Sequence, residues 1–87
     1  MNAVQAQRNA LSQRIEQAFM DDRCPSSAVI KETTHVGSIL WRSSGESEYG
    51  FRPEELVGLA DRIRKLAPVL EIEITEEEIA ACDLGSN

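Results

Sequence analysis

The stretch formed by residues 51–67 constrains the fold most, because every local signal in it favours a helix. Its apolar residues recur at three- and four-residue spacing, which places them on one helical face: Leu56, Leu59, Ala60, Ile63, Leu66 and Ala67. Pro53 suits the first helical turn, where a missing N–H is no loss, and Pro68 is expected to end the helix. The segments on either side must therefore bury this apolar face.

The preceding segments predict a helix followed by a sheet. Residues 3–20 carry apolar residues on one side, so we expect a helix whose first turns, within residues 1–8, are frayed or lightly packed: Val4, Leu11, Ile15, Ala18 and Phe19. Three later segments are short and rich in β-branched or aromatic residues, which is typical of strands: 28–34, 36–42 and 47–51. A reversal near His35 and a hairpin turn at 43–46 would connect them.

The C-terminal segments add two elements to this pattern. Residues 70–74 alternate apolar side chains with Glu, which indicates a fourth strand or an extended segment laid along the body. Thr75 and Glu78 have the spacing of a capping box, so we expect a short helix that ends near Gly85 and carries Ile79, Cys82 and Leu84. The prediction is a single α+β domain, 1–87, of order α-β-β-β-α, then a β segment and a short helix. Its sheet would be antiparallel, with helices mainly on one face.

Composition indicates a small cytosolic protein. The chain has 87 residues, 41% of them hydrophobic and 28% charged, which suits one folded domain. It contains no apolar run approaching the about 20 residues that span a bilayer, and its first residues do not resemble a secretory signal. We therefore expect a cytoplasmic protein with no membrane partner, in which Cys24 and Cys82 are reduced and partly buried.

The negative charge is concentrated at one end of the chain. The chain carries 15 acidic and nine basic residues, for a net charge of −6. The acidic C-terminal region, residues 70–87, contains six acids and no base: Glu71, Glu73, Glu76, Glu77, Glu78 and Asp83. Acids and bases balance in the rest of the chain. We expect this region to repel nucleic acid and anionic membranes and to attract a basic protein surface.

The residues that could carry chemistry do not form a recognisable site. His35, the sole histidine, is expected at a turn with a solvated side chain, and it does not have the paired spacing with Cys24 or Cys82 that structural zinc sites use. Cys24 beside Arg23 is a conceivable nucleophile, but no base or orienting motif accompanies it, so a thiol enzyme is the least favoured hypothesis. We expect no catalytic residue, no metal and no cofactor.

The predicted order α-β-β-β-α is similar to that of double-stranded RNA-binding domains. Those domains contact phosphates through basic residues at the start of a helix. Here the matching position is 52–55, Arg-Pro-Glu-Glu, which supplies one base and two acids. Direct binding of nucleic acid is therefore not expected.

The first functional hypothesis is a non-enzymatic, acidic protein-binding module. Its acidic C-terminal region would dock on a basic surface of another protein, with two aromatic residues, Trp41 and Tyr49, as apolar anchors. In the strongest version it is an inhibitor that mimics nucleic acid and occupies a nucleic-acid-binding surface. Small acidic anti-restriction and anti-CRISPR proteins of phages act in this manner, and the resemblance is one of size and charge.

The alternative is a structural subunit or homodimer that associates through an exposed apolar sheet face. Alternation along the predicted strand 36–42 places apolar residues on both faces: Val36 and Leu40 on one, Ile39 and Trp41 on the other. If helices cover one face only, the other presents an apolar patch of the kind that marks an interface. The chain's own ends, including residues 70–74, could instead cover that patch.

Overall fold

The computed structural model describes residues 3–45 and 47–82, and this part of the chain is helical with no strand. Its elements are α1 (Ala3–Met20), α2 (Ser27–Arg42), a 3₁₀ turn (Pro53–Leu56), α3 (Leu59–Leu70) and α4 (Glu76–Ala80). The predicted α+β class is therefore wrong, as is the antiparallel sheet. The similarity in element order to double-stranded RNA-binding domains disappears with the sheet.

Helix α1 confirms the prediction for residues 3–20. Leu11, Ile15 and Ala18 are buried on one face, and α1 packs mainly against α2. After the helix ends at Met20, Asp22 adopts a left-handed backbone with a φ of 62°. The N–H of Arg23 then donates to the carbonyl of Ala18 at 3.1 Å. This closure turns the chain back so that α2 can lie beside α1.

Helix α2 replaces the first two predicted strands. Ser26 caps it, since its hydroxyl oxygen accepts a hydrogen bond from the Val29 N–H at 3.3 Å. The buried residues of α2 follow a helical period rather than an alternating one: Thr33, Val36, Ile39 and Leu40. Ile39 therefore packs in the core with Val36, while Trp41 stays exposed. The prediction that Ile39 and Trp41 share one face was wrong for this reason.

The predicted helix over residues 51–67 forms in two pieces. The 3₁₀ turn ends at Leu56, and Gly58 then adopts a left-handed backbone with φ of 75° before α3 begins. Pro68 does not end the helix as predicted. It lies in the last turn of α3, where its missing N–H removes a single hydrogen bond, and the helix continues to Leu70, which is fully buried.

The third and fourth predicted strands are irregular segments. Residues 47–52 connect α2 to the 3₁₀ turn, and residues 71–75 connect α3 to α4. The predicted capping box is confirmed: the Thr75 hydroxyl accepts from the Glu78 N–H at 3.2 Å, and the Glu78 carboxylate accepts from the Thr75 N–H at 2.9 Å. Leu84 and Gly85 lie outside the described residues.

One hydrophobic core unites the four helices of the described residues. Its largest members are Leu11, Ile15, Val36, Ile39, Leu40, Leu56, Leu59, Ile63, Leu66, Leu70 and Ile79. Ile72 and Ile74 pack against this cluster from the α3–α4 connection, and Cys82 is buried within it. The described part of the acidic C-terminal region is therefore a portion of the fold. None of the described helices is long and apolar enough to cross a membrane, and the cytoplasmic compartment stays a prediction.

Candidate protein-binding groove

The acidic C-terminal region pairs in part with arginines of the same chain. Glu76 accepts a hydrogen bond from Arg64 at 3.1 Å, and Glu78 accepts one from Arg14 at 2.5 Å. The pKa of the Glu78 carboxyl is lowered, first by the hydrogen bond from the Thr75 N–H and then by Arg14. Two of the six predicted contact acids are thus already engaged within the protein.

Backbone carbonyls of the same region also bind arginines. Arg8 donates to the carbonyl of Ala81 at 2.7 Å, Arg14 also donates to the carbonyl of Glu73, and Arg23 donates to the carbonyl of Glu71 at 3.2 Å. Three other acids of this region are exposed and form no ion pair with a described residue: Glu71, Glu73 and Glu77. Asp83 lies outside the described residues. The arginines fasten this region to α1 and α3.

A groove between α1 and α2 brings several exposed apolar side chains together. It encloses about 510 Å³ and is open to solvent. Phe19 and Met20 line it from α1, and Trp41 lines it from α2, with Ile15 and Gly37 between them. Trp41, one of the two predicted aromatic anchors, therefore lies in a concave apolar site.

The sequence creates this groove by placing a residue without a side chain opposite large ones. A Cβ atom at Gly37 would lie 3.6 Å from the Ile15 side chain, so the two helices approach closely there and any longer side chain would fill the groove. Phe19, Met20 and Trp41 remain 45%, 70% and 41% exposed. Large apolar side chains gathered around one depression typically mark an interaction site.

Three hydroxyl groups along the groove have hydrogen-bond partners within their own helices. Ser12 donates to the carbonyl of Asn9 and Thr34 to the carbonyl of Ile30, each at 2.9 Å. Ser38 accepts a hydrogen bond from Arg42 at 3.1 Å. Because these hydroxyls already have partners, the groove presents mainly carbon atoms to a ligand.

Tyr49, the other predicted anchor, lies outside the groove. It sits on the connection between α2 and the 3₁₀ turn and is 70% exposed. Arg42 binds this connection by donating to the carbonyl of Gly50 at 3.3 Å. The structure therefore brings Trp41 together with Phe19 and Met20, and not with Tyr49.

The structure describes both cysteines and the histidine that the sequence offered for chemistry. Cys24 is half-buried, with its thiol donating to the Thr33 hydroxyl at 3.7 Å, and Cys82 is buried; neither cysteine is part of a disulfide. His35 is exposed, as expected, but it lies within α2 rather than at a turn. No group of three or more metal-ligating side chains occurs in the described ranges.

Sequence reasoning identified Trp41 but missed the rest of the groove. It placed Phe19 on the apolar side of the first helix and put a reversal near His35, because residues 36–42 looked like a strand. Had that segment been treated as a helix, Gly37, Ser38 and Trp41 would have fallen on one side at helical spacing. That stripe of two small residues and one aromatic was the available signal.

The chain was compared with known protein families, curated proteins and solved structures. No protein-family model matches the chain, and no curated protein or solved structure matches it either. The geometry and charges of the described residues are therefore the basis for a functional proposal.

Proposed function

We propose that this protein is a non-enzymatic protein-binding module, and that its α1–α2 groove receives an α-helix of a partner protein. The observation that carries the proposal is the group of exposed Phe19, Met20 and Trp41 side chains around an open groove of about 510 Å³. An amphipathic helix laid into an apolar groove is a common mode of peptide recognition.

The length of the groove suits a helical ligand. On α1 it extends from Ser12 to Met20, and on α2 from Thr33 to Trp41. Each stretch covers eight residue steps, or about 12 Å at 1.5 Å per residue. This distance matches about two turns of a ligand helix, which would place apolar side chains at positions i, i+4 and i+7 on the groove.

Charge favours a different protein over a second copy as the occupant. Each copy carries a net charge of −6, so two copies would repel one another, whereas a basic partner would be attracted. Ile39, which the dimer hypothesis relied on, is 1% exposed and unavailable for association. The pairing of Glu76 and Glu78 within the chain likewise favours the groove over the acidic C-terminal region as the docking surface.

Site-specific photo-crosslinking tests the proposal. A photoreactive residue replaces Met20 in the groove, and a matched variant carries it at Tyr49, which is equally exposed. We expect Met20, and not Tyr49, to crosslink to a helical segment of another protein. Gly37→Leu, which fills the groove, should abolish the crosslink while the circular dichroism spectrum stays helical.

Three outcomes would contradict the proposal. Crosslinking from Tyr49 alone would place the interface outside the groove. An undiminished Met20 crosslink in Gly37→Leu would show that the groove is not occupied. Crosslinks found only between two copies of this protein would establish a homodimer instead.

A further inference from the structure

The two edges of the groove differ in charge. Glu16 is exposed on α1 and is the charged residue that lines the groove, and the exposed pair Asp21 and Asp22 follows α1 at the end marked by Met20. On α2, Lys31 and His35 lie on the solvent side of Thr34, since successive residues on a helix are about 100° apart. The α1 edge is therefore acidic and the α2 edge is not.

The acids on the α1 edge keep their charge available. Among the described residues, none forms an ion pair with Glu16 or Asp22. Asp21 accepts a hydrogen bond from Gln17 at 2.9 Å and has Arg23 at 3.8 Å, a distance at which an exposed pair contributes little. In contrast, the arginines of α2 and α3 bind carboxylates elsewhere, as Arg42 binds Glu55.

We infer that the partner helix carries Lys or Arg residues along the edge that meets α1, beside the apolar side chains that enter the groove. This inference rests on the proposed function and adds the charge and the rotational orientation of the partner. Basic side chains at that edge would face Glu16 and Asp21, and the opposite edge would face Lys31. Charge complementarity of this kind directs association and selects one orientation.

Binding of two designed peptides tests the inference. Both peptides are helical, free of tryptophan, and carry Leu at i, i+4 and i+7. One has Lys along one edge of its polar face and its twin has Glu at the same positions. Trp41 is the only tryptophan of the chain and lines the groove, so its fluorescence reports occupancy directly. At low salt we expect the Lys peptide to bind about tenfold more tightly than the Glu peptide, since each exposed charge pair contributes modestly. This difference in affinity should shrink at high salt.

A matched pair of charge variants locates the effect. Glu16→Gln with Asp21→Asn and Asp22→Asn should remove the preference for Lys. Glu71→Gln with Glu73→Gln and Glu77→Gln removes the same number of charges from exposed positions outside the groove and should preserve it. If both variants lose the preference for the Lys peptide equally, the net charge of the protein determines that preference. This result would overturn the inference.

The failures of the two proposals are distinguishable. If both peptides bind equally and Gly37→Leu blocks both, the groove binds helices without the proposed charge selection. Only the inference of a basic edge on the partner helix is then overturned. If neither peptide changes Trp41 fluorescence at millimolar concentration, the groove does not receive an amphipathic helix. Both proposals would then be overturned.

Discussion

Two arginine–carboxylate pairs connect α2 to the elements that follow it. Arg42 donates two hydrogen bonds to Glu55, each at 3.0 Å, and Arg62 donates two to Glu32 at 2.9 and 2.5 Å. Bidentate pairs of this kind fix geometry as well as contributing energy. The Arg42 pair, with a further hydrogen bond from the Arg52 N–H, lowers the pKa of Glu55 to about 2.

We expect Glu55→Gln to lower the stability of the protein at neutral pH. Because the pKa of Glu55 falls from 4.5 to about 2 on folding, its ionised form stabilises the fold above pH 4.5. That contribution declines as the pH falls towards 2, since the unfolded state takes up the proton first. Urea denaturation of wild type and variant should therefore converge over this range. Glu54→Gln, at the exposed neighbouring residue, should show no such convergence.

Alanine substitutions at two glycines should change the stability of the protein in opposite directions. Gly58 has a φ of 75° with open space around it, so Gly58→Ala is destabilising by about 1 kcal/mol through backbone strain alone. Gly37 lies within α2, and a Cβ atom there would meet Ile15 at an ordinary 3.6 Å. Gly37→Ala should therefore stabilise by about 0.5–1 kcal/mol, as expected in a helix interior. Equal effects in urea denaturation would contradict the assigned backbone conformations.

At the scale of elements, the helix predictions for α1 and α4 were confirmed, one from apolar spacing and the other from a capping box. Residues 3–20 show helical spacing, and Thr75 and Glu78 form a local cap, so both helices were predictable. Residues 27–42 were not, because β-branched residues such as Val29 and Thr33 favour strands locally. Burial of Ile39 together with Val36 and Leu40, which only a helix allows, overrides that preference. The groove depends on how α1 and α2 pair, which local patterns do not specify.

The cap of α2 should therefore contribute measurably to the helix that local propensity disfavours. Ser26→Ala removes the acceptor for the Val29 N–H and should lower the free energy of unfolding by about 1 kcal/mol. Ser26→Asp, which keeps an acceptor at that position, should restore most of it. Ser27→Ala at the next exposed position serves as the control. Equal effects at Ser26 and Ser27 would show that the cap contributes nothing.

At the scale of the whole molecule, the acidic C-terminal region closes the core of a chain that is mostly helix. Ile79 is 4% exposed and Leu70 is fully buried, while Arg8 and Arg14 bind the region from α1. An 87-residue protein has a total stability of only about 4–13 kcal/mol at typical values per residue. Loss of these contacts would therefore affect the entire fold.

We accordingly expect Ile79→Ala to lower the free energy of unfolding by about 2–4 kcal/mol, as core truncations do. Val69→Ala, at a 43% exposed position on α3, should cost much less. Unfolding should be followed in parallel by Trp41 fluorescence, which reports on the groove, and by circular dichroism, which reports on all helices. If α4 belongs to the same cooperative unit, both signals shift together in Ile79→Ala. A shift in circular dichroism without one at Trp41 would show that the C-terminal region unfolds separately and leaves the groove intact.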